Sequence, residues 1–429
     1  MIYLDNGATT FPKPECVWDA VDHFNRTAAV NAGRGAYQAA RDATAMIREV
    51  REQLISLCDA REQAQVILTP SVTIALNQLI QGQKWTPESV AYVSPYEHNA
   101  VLRPLKLLEK HIGIRVLELP LAADLSIDLE STSEMFRQTP PDFVSVSAVS
   151  NVTGYILPAR EIFLMAKEYG AFTLLDAAQA MGLLKLRFSY LRADAITFAG
   201  HKTLYAPFGI GGFLLKNGID LEELLAGGNG MKSLSEDMPR YMPEKMECGS
   251  MDTPAIAGLH ASLKWLKTVR PKKTEDELME YLIPKLREIP GLHLYSAPDP
   301  SLQAGVISLN LDGFRANEVG AILDKEWDIA VRAETLGRAT ITTQNGDLLL
   351  DVKELTKDAY LKDLNGDVRV NFRKEPQDLD FVFSGGNFDE IRLPRGWDGG
   401  VTLGSGEPKF TLRTENGEVR VTFGKLETP

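Results

Sequence analysis

The chain has 429 residues, of which 44% are hydrophobic and 24% are charged, as expected for a soluble globular protein with two or three domains. Its formal net charge of −12 argues against nucleic acid or an anionic membrane as a partner. The N-terminus lacks the features of a signal peptide, no apolar run reaches membrane-spanning length, and the three cysteines are widely separated. We therefore expect a cytoplasmic protein with neither a disulfide framework nor a metal site.

In the first half of the chain, short apolar runs alternate with amphipathic segments of helical period. Helices are predicted over residues 42–57 and 160–169. The runs predicted as strands are residues 66–68, 90–93, 116–119, 143–146, 172–175 and 195–198. This alternation is typical of an α/β fold with a mostly parallel sheet covered by helices.

A smaller α+β region is predicted to follow the sheet. Its predicted elements are a long helix at 255–269, a helix at 275–287, a strand at 306–311, a helix at 316–325 and an apolar run at 329–332. We therefore expect a large domain over residues 1–260, whose first 30 residues could pack with the small domain, and a partial small domain over 261–336.

From Gly337 onward the sequence becomes rich in predicted strands and tight turns. The turns are predicted at Asn345-Gly346-Asp347, Asn365-Gly366-Asp367 and Asn416-Gly417-Glu418, because Asn and Gly tolerate positive φ. The sequence thus predicts an all-β repeat module over residues 337–429, with a solenoid and a set of ordinary hairpins both open as arrangements.

Four residues with related chemistry follow predicted strands of the sheet: His98, Asn151, Asp176 and Lys202. Because ligands bind outside the carboxyl ends of parallel strands, we expect these side chains to converge. A lysine can form a Schiff base with an aldehyde, and a carboxylate can keep a pyridine nitrogen protonated. These are the two groups that pyridoxal 5'-phosphate (PLP) requires, so the combination predicts a PLP site.

The other side chains near these strand ends have roles in the same site. His98 offers a flat ring to stack on the pyridine, while Gln179 and Asn151 offer amides near its phenolic oxygen. Taken singly, an Asp after a strand is usually a cap and a lone His is usually a satisfied core or surface residue. The PLP prediction therefore depends on the combination and its spacing.

The phosphate of PLP is expected at the helix start that follows residues 66–68. Backbone N–H groups and hydroxyls at such a position bind phosphate well. The candidates are Ser71, Val72 and Thr73, with Thr73 as the favoured hydroxyl. A plain N-cap by Ser71 is the structural alternative, and it is compatible with phosphate binding.

Over about residues 1–333 the chain resembles the class V aminotransferases, and specifically the cysteine desulfurase family. The matching motifs, in chain order, are Tyr3-Leu4-Asp5-Asn6-Gly7-Ala8-Thr9-Thr10, Glu97-His98-Asn99, Ser150-Asn151-Val152-Thr153-Gly154, Asp176-Ala177-Ala178-Gln179, Gly200-His201-Lys202, Gly227-Gly228 and Glu247-Cys248-Gly249-Ser250-Met251-Asp252-Thr253-Pro254. The resemblance implies a fold type I PLP-transferase large domain, a truncated α+β small domain, and a homodimer with its sites at the subunit interface. It also implies conversion of L-cysteine to L-alanine, with sulfur passing to an acceptor protein.

The resemblance also implies individual residue roles. Lys202 and His98 take the catalytic roles, and His201 joins Lys202 in binding the cofactor. Thr253 is implied to reach the cofactor phosphate of the partner subunit. The segment Asn31-Ala32-Gly33-Arg34-Gly35 matches a loop that helps to hold the substrate, with Asn31 and Arg34 as the implied substrate residues.

Three departures from the family pattern concern chemistry. Ala199 stands where the family has a phosphate-binding hydroxyl. The family's nucleophilic cysteine follows the segment that matches residues 329–333, but no cysteine follows Cys248. The arginine that pairs with the substrate carboxylate has no matching position, although the tail contains Arg369, Arg373, Arg392 and Arg395.

These features leave three functional hypotheses. The first is a PLP-dependent, cysteine desulfurase-like enzyme. The second keeps PLP but catalyses other amino-acid chemistry, such as β-elimination, a lyase reaction or transamination, which requires only the lysine and the electron sink. The third is a non-catalytic binding or scaffold protein that uses the β module, which resembles adhesin-like repeats.

Overall fold

The computed structural model describes residues 1–33, 35–228, 236–297 and 299–333, together with strands between residues 339 and 423. The chain divides into two compact units, Met1–Arg332 and Ala333–Pro429. Arg34 and most residues of the three predicted Asn-Gly turns lie outside the described residues.

The first unit contains eleven strands and ten α-helices among its described residues. In chain order they are β1 (Ile2–Tyr3), α1 (Glu15–Thr27), α2 (Gln38–Leu57), β2 (Ala64–Thr69), α3 (Val72–Gln81), β3 (Val90–Val93), α4 (Asn99–His111), β4 (Arg115–Glu118), α5 (Leu129–Gln138), β5 (Phe143–Ser147), α6 (Ala159–Glu168), β6 (Phe172–Asp176), α7 (Phe188–Leu191), β7 (Ala195–Ala199), β8 (Gly211–Lys216), α8 (Thr253–Leu266), α9 (Pro271–Arg287), β9 (Leu292–Tyr295), β10 (Ser308–Leu311), α10 (Ala316–Trp327) and β11 (Ile329–Ala330).

A seven-stranded sheet in the order β2-β8-β7-β6-β5-β3-β4 forms the centre of this unit. Every neighbouring pair is parallel except the two that involve β8, which runs antiparallel to both β2 and β7. The predicted α/β fold with a mostly parallel sheet is confirmed. β8 was not predicted from the sequence, because its two glycines weaken the strand pattern.

Helices cover both faces of the sheet, so its strands are buried on two sides. Successive residues of β2 enter different hydrophobic clusters: Val66 and Leu68 lie in one, and Ile67 lies in the other. The first cluster includes residues of α2, α6 and α8, and the second includes residues of α3 and α4. This two-sided burial explains why the central strands appear in the sequence as continuous apolar runs.

The remaining strands of the first unit form two small sheets. β9 and β10 pair antiparallel, and β11 pairs in parallel with β1. The strand predicted at 306–311 therefore begins two residues later, at Ser308, and its partner β9 was not predicted. The pairing of β1 with β11 joins the start of the chain to the end of this unit.

In the second unit the described strands form two sheets. The strands are β12 (Ala339–Thr343), β13 (Leu348–Val352), β14 (Ala359–Asn365), β15 (Val368–Phe372), β16 (Leu379–Ser384), β17 (Ile391–Arg392), β18 (Gly400–Leu403), β19 (Lys409–Asn416) and β20 (Val419–Phe423). The sheet orders are β12-β14-β19-β16-β18 and β13-β15-β20-β17, and all pairs are parallel except β16 with β18. The buried Phe372 and Phe410 rings, 5.6 Å apart, contact each other between the two sheets. The repeat module itself stays a prediction.

Over the described part of the chain, every helix is too short or too polar to cross a lipid bilayer.

Candidate functional site

A pocket lies at the carboxyl ends of β2, β3, β5, β6 and β7, where a site is expected from the sequence. Six of the predicted site residues line it: Val72, His98, Asn151, Asp176, Gln179 and Lys202. Asp176 ends β6, and the others lie in segments that follow β2, β3, β5, β6 and β7, because strands that run in the same direction bring their carboxyl ends to one edge of the sheet.

Asp176 ends β6, is buried, and lines the pocket. Its Oδ1 atom accepts hydrogen bonds from the Ala178 N–H and the Thr197 hydroxyl, each at 3.0 Å. Two neutral donors hold the carboxylate in place, so its negative charge is not cancelled by a direct ion pair among the described residues. The arrangement suits a carboxylate that stabilises a cationic ligand atom.

Lys202 lies in the turn after β7 and extends into the same pocket. Burial lowers the pKa of Lys202; the negative charge of Asp176 opposes this change, and the positive charge of Arg332 adds to it. A lysine with a lowered pKa is more often the neutral amine, which is the form that attacks an aldehyde.

His98 is the N-cap of α4, and its Nδ1 atom accepts a hydrogen bond of 3.1 Å from the Ala100 N–H. The proton of the neutral ring is therefore on Nε2. Burial lowers the pKa of His98, and the charge of Lys202 lowers it further. The ring is thus uncharged at neutral pH, as suits a group that stacks on an aromatic ligand.

The side-chain amides of Gln179 and Asn151 are held at the pocket by different contacts. The Nε2 atom of Gln179 donates a hydrogen bond of 2.6 Å to the Gly7 carbonyl, so the N-terminal segment fixes its orientation. Asn151 lies in a turn that Ser150 stabilises, because the Ser150 hydroxyl accepts hydrogen bonds from the N–H groups of Val152 and Thr153.

The start of α3 has the properties of an anion site. Ser71 caps the helix, with its hydroxyl accepting a 3.3 Å hydrogen bond from the Ile74 N–H, and Thr73 is exposed. At Gly211, a Cβ atom would lie 2.6 Å from the Val72 nitrogen, so only glycine lets β8 approach the helix start. In the structure the Ser71 hydroxyl acts as a helix N-cap, which is the alternative that the sequence also allowed.

His201 is the neighbour of Lys202, and its Nδ1 atom is buried without a hydrogen-bond partner among the described residues. Its ring stacks on Phe208 with the centroids 4.6 Å apart. Burial and the charges of Lys202 and Lys13 lower the pKa of His201 to about 4, so the ring is neutral. An unpaired imidazole nitrogen beside the lysine, together with the α3 start and the Lys202–Asp176 pair, fits a ligand with the chemistry of PLP.

The other candidates lie outside the pocket lining of the described chain. Asn31 is exposed, and Arg34 lies outside the described residues. Thr253 begins α8 and is buried in the first unit. The roles assigned to these residues, and to every other predicted site residue, remain predictions.

Glu97 is a buried acid beside the pocket, and its role was not predicted from the sequence. Its carboxylate accepts hydrogen bonds from the Ser94 hydroxyl at 2.7 Å and from the Ser147 N–H at 2.5 Å. Burial raises the pKa of Glu97 to about 7, and the charge of Asp176 adds to the increase, whereas the hydrogen bonds oppose it. The sequence feature that could have indicated a role for Glu97 is its position directly before His98.

The burial of Lys13 was likewise not predicted from the sequence. It is only 8% exposed, and its ammonium donates to the His201 carbonyl at 3.1 Å. The surrounding Pro12-Lys13-Pro14 sequence gives no hint of burial, because the acceptor is 188 positions away.

The three cysteines lie away from the described lining of the pocket. Cys58 is buried, and burial raises the pKa of its thiol to about 12, so it is not a nucleophile at neutral pH. Cys16 is exposed on α1, and Cys248 is partly exposed. Among the described residues there is also no cluster of three or more potential metal ligands.

Comparisons with known proteins agree with this arrangement. The model of the family described as "Aminotransferase class-V" matches residues 2–350, which extends past the boundary near 333 expected from the motifs. The cysteine desulfurase of Escherichia coli O127:H6 (strain E2348/69 / EPEC) is 31% identical over 346 residues, which cover 77% of this chain and 83% of that protein. A probable cysteine desulfurase of Chlamydia muridarum is 29% identical over 341 residues, covering 77% of this chain and 84% of that protein.

A solved structure shares the fold as well. The apo structure of a cysteine desulfurase from Thermococcus onnurineus NA1 matches with a TM-score of 0.70 and 27% identity, over 77% of this chain and 84% of that chain. The family model covers most of this chain, and its match includes every residue that lines the pocket. The chain therefore belongs to the class V aminotransferases, a family of PLP-dependent enzymes, and is similar to the cysteine desulfurases among them.

Proposed function

We propose that this chain binds PLP in the pocket and acts on a cysteine-like amino acid, with Lys202 as the residue that links covalently to the cofactor. The observation that carries the proposal is the presence of Lys202, Asp176 and His98 around one pocket. When bound, PLP supplies an aldehyde for the lysine and an aromatic ring that withdraws electrons from the substrate.

In this proposal, each side chain has a separate task. Asp176 would keep the pyridine nitrogen of bound PLP protonated, and the neutral His98 ring would offer a flat face to the pyridine. The Lys202 amine would move a proton at the substrate Cα. Asn151 and Gln179 orient the ring through its phenolic oxygen, and the start of α3 binds the phosphate.

The reaction that we propose is conversion of L-cysteine to L-alanine with transfer of sulfur. The names of the relatives and the family match support it. Because no cysteine lines the described pocket, we propose that the sulfur passes to a thiol brought by an acceptor. In that step, cysteine and a thiol give alanine and a persulfide. We further propose a cytoplasmic homodimer, in which Thr253 reaches the cofactor phosphate of the partner subunit.

A second candidate is β-elimination, which converts cysteine and water to pyruvate, ammonia and hydrogen sulfide. The specific observation in its favour is again that the cysteines lie away from the described pocket lining, since elimination requires no protein thiol. Both reactions use the same lysine and the same electron sink.

One experiment separates these alternatives. The purified chain is incubated with PLP, reduced with borohydride and analysed by peptide mass spectrometry, with Lys202→Ala as the control. We expect a cofactor adduct on Lys202 that the variant lacks. Incubation with L-cysteine and dithiothreitol then gives alanine for a desulfurase, or pyruvate for an eliminating enzyme. A wild-type chain without the adduct contradicts the proposal, and an adduct without turnover of any amino acid favours a binding or scaffold protein.

A further inference from the structure

Residues 5–13, here called the N-terminal strap, cross the backbone that carries Lys202. The Thr9 hydroxyl donates to the His201 carbonyl at 2.9 Å, and the Thr10 N–H donates to the same oxygen at 3.1 Å. The Thr10 hydroxyl also lies 3.2 Å from the Lys202 carbonyl, to which it donates. The peptide that joins His201 to Lys202 is thus held from outside the sheet by a segment distant in sequence.

Lys13 adds a charged donor to this set of contacts. Its ammonium donates to the His201 carbonyl at 3.1 Å and to the carbonyl and hydroxyl oxygens of Thr10, each at 3.0 Å. All three N–H bonds are used, and every acceptor is neutral. No carboxylate lies within ion-pair distance of Lys13 in the described part of the chain. Burial lowers the pKa of Lys13 to about 8.

A buried ammonium without a counter-charge is costly, and an apolar residue of similar size would avoid that cost. The Lys13 ammonium has one hydrogen-bond acceptor outside the strap, the His201 carbonyl. We therefore relate the burial of this charge to that contact. That carbonyl belongs to the peptide bond whose nitrogen is that of Lys202. An interaction that holds this peptide therefore controls the direction in which the Lys202 side chain leaves the backbone.

We propose that Lys13 is a positioning residue that fixes the His201 carbonyl and thereby aims the Lys202 amine at its reaction partner. This inference rests on the proposed function, since it assigns Lys13 to the covalent attachment of PLP. Small displacements of a reacting group lower rates strongly, because attack requires close approach and alignment. Loss of the Lys13 ammonium therefore slows attachment even when the protein stays folded.

The same strap contacts other parts of the pocket. The Gly7 carbonyl accepts the hydrogen bond from Gln179, and Asp5 pairs with Arg332 at 3.1 Å, close to the end of β11. The strap thus connects three parts of the first unit at the pocket edge. Of its side chains, only Lys13 adds a charge to the contacts of the His201 carbonyl, which makes it the point at which the inference can be tested.

The test compares Lys13→Met with Lys167→Met in the full-length chain. Lys167 is a matched control, because its half-buried ammonium bonds to Asp194 and the Ala171 carbonyl at the opposite edge of the sheet. The readout is the rate of covalent PLP attachment, obtained by borohydride quenching at timed intervals. We expect about tenfold slower attachment for Lys13→Met and less than a twofold change for Lys167→Met, although both variants lower the melting temperature.

Two further measurements separate positioning from a general loss of structure. Thr9→Val removes a second donor to the His201 carbonyl without removing a charge, and we expect it to slow attachment about threefold. The pH titration of the visible absorbance of the attached cofactor gives a midpoint that should rise in Lys13→Met, because a nearby positive charge is lost. The midpoint should not change in Lys167→Met or in Thr9→Val.

The outcomes distinguish this inference from the proposed function. If the wild-type chain attaches no PLP, the proposed function is wrong and the inference falls with it. If the wild type attaches PLP and Lys13→Met attaches it at the same rate, the inference alone is wrong. Should Lys13→Met not fold, the same conclusion follows from a wild-type rate in Thr9→Val.

Discussion

The carboxylate of Asp176 accepts two hydrogen bonds within the protein and also carries the negative charge that we propose stabilises the pyridinium. Its Oδ1 atom accepts from the Ala178 N–H and the Thr197 hydroxyl, and an asparagine at 176 could accept both bonds through its amide oxygen. We therefore expect Asp176→Asn to fold normally while its affinity for PLP falls about a hundredfold, because the charge that holds the pyridinium is lost. Absorbance titration with PLP measures the affinity, and thermal unfolding of the cofactor-free protein checks the fold.

The control for this prediction is Thr197→Val. It removes one hydrogen bond to Asp176 but keeps the carboxylate, so the affinity for PLP should change by no more than a few-fold. Equal losses of affinity in Asp176→Asn and Thr197→Val would show that geometry, rather than charge, is the contribution of this acid.

Glu97 predicts a pH dependence of stability in the cofactor-free protein. Burial, with a further contribution from Asp176, raises its pKa from the usual 4.5 to about 7. Between these values the folded protein holds a proton that the unfolded chain has lost, so its stability falls as the pH rises from about 4.5 to 7. The loss amounts to roughly 3 kcal/mol. Urea unfolding at a series of pH values measures it.

Glu97→Gln tests the origin of that loss. Glutamine can accept from Ser94 and Ser147 but stays neutral, so the decline in stability between pH 5 and 7 should become shallower. Asp176→Asn should also reduce the decline, because it removes a charge that raises the pKa of Glu97. The same decline in wild type and Glu97→Gln would exclude Glu97 as its source.

A site residue could be predicted from the sequence where the pattern of the neighbouring residues indicates its position. His98, Asp176 and Lys202 follow apolar runs whose spacing defines a parallel sheet, so their convergence could be predicted from the order of elements alone. The roles of Glu97 and Lys13 depend on partners 50 and 188 positions away, and no periodicity encodes such contacts. Local pattern finds side chains that are brought together by regular structure, but not side chains that stabilise irregular connections.

At the scale of elements, the turn after β5 joins the pocket to the β10 region. The Gln303 amide donates to the carbonyls of Thr153 and Val306, and the Ser308 hydroxyl donates to the Val152 carbonyl. Gly154 completes the turn with a φ of +72°, and a Cβ atom there would overlap the Val306 carbonyl and the Gln303 amide. This close approach requires glycine for two separate reasons.

Gly170 offers a matched comparison for Gly154. Its φ is +78°, but a Cβ atom there would meet nothing within 4 Å. Gly170→Ala should therefore cost only the backbone strain, about 1 kcal/mol, whereas Gly154→Ala should cost about 2 kcal/mol more and weaken PLP binding through Asn151. Urea unfolding and PLP titration of both variants measure the difference. Equal costs would mean that the turn adjusts without loss.

At the scale of the whole molecule, the described pocket belongs to one of the two units. Every residue that lines it lies within Met1–Arg332, and so do the strap contacts of Lys13 and the pairing of β1 with β11. The chain divides into its two compact units between Arg332 and Ala333, and the domain boundaries expected near residues 260 and 336 remain predictions.

This division makes a prediction about the second unit. A chain truncated after Arg332 keeps Lys202, Asp176 and His98 with their supporting contacts, so it should attach PLP to Lys202 at a rate within about threefold of the full-length chain. Borohydride trapping measures attachment, and circular dichroism confirms that the shortened chain is folded. Turnover of L-cysteine, measured on both chains, then reports whether residues 333–429 supply a group for the later chemistry. A folded truncated chain that attaches no PLP would instead show that the cofactor site itself depends on the second unit.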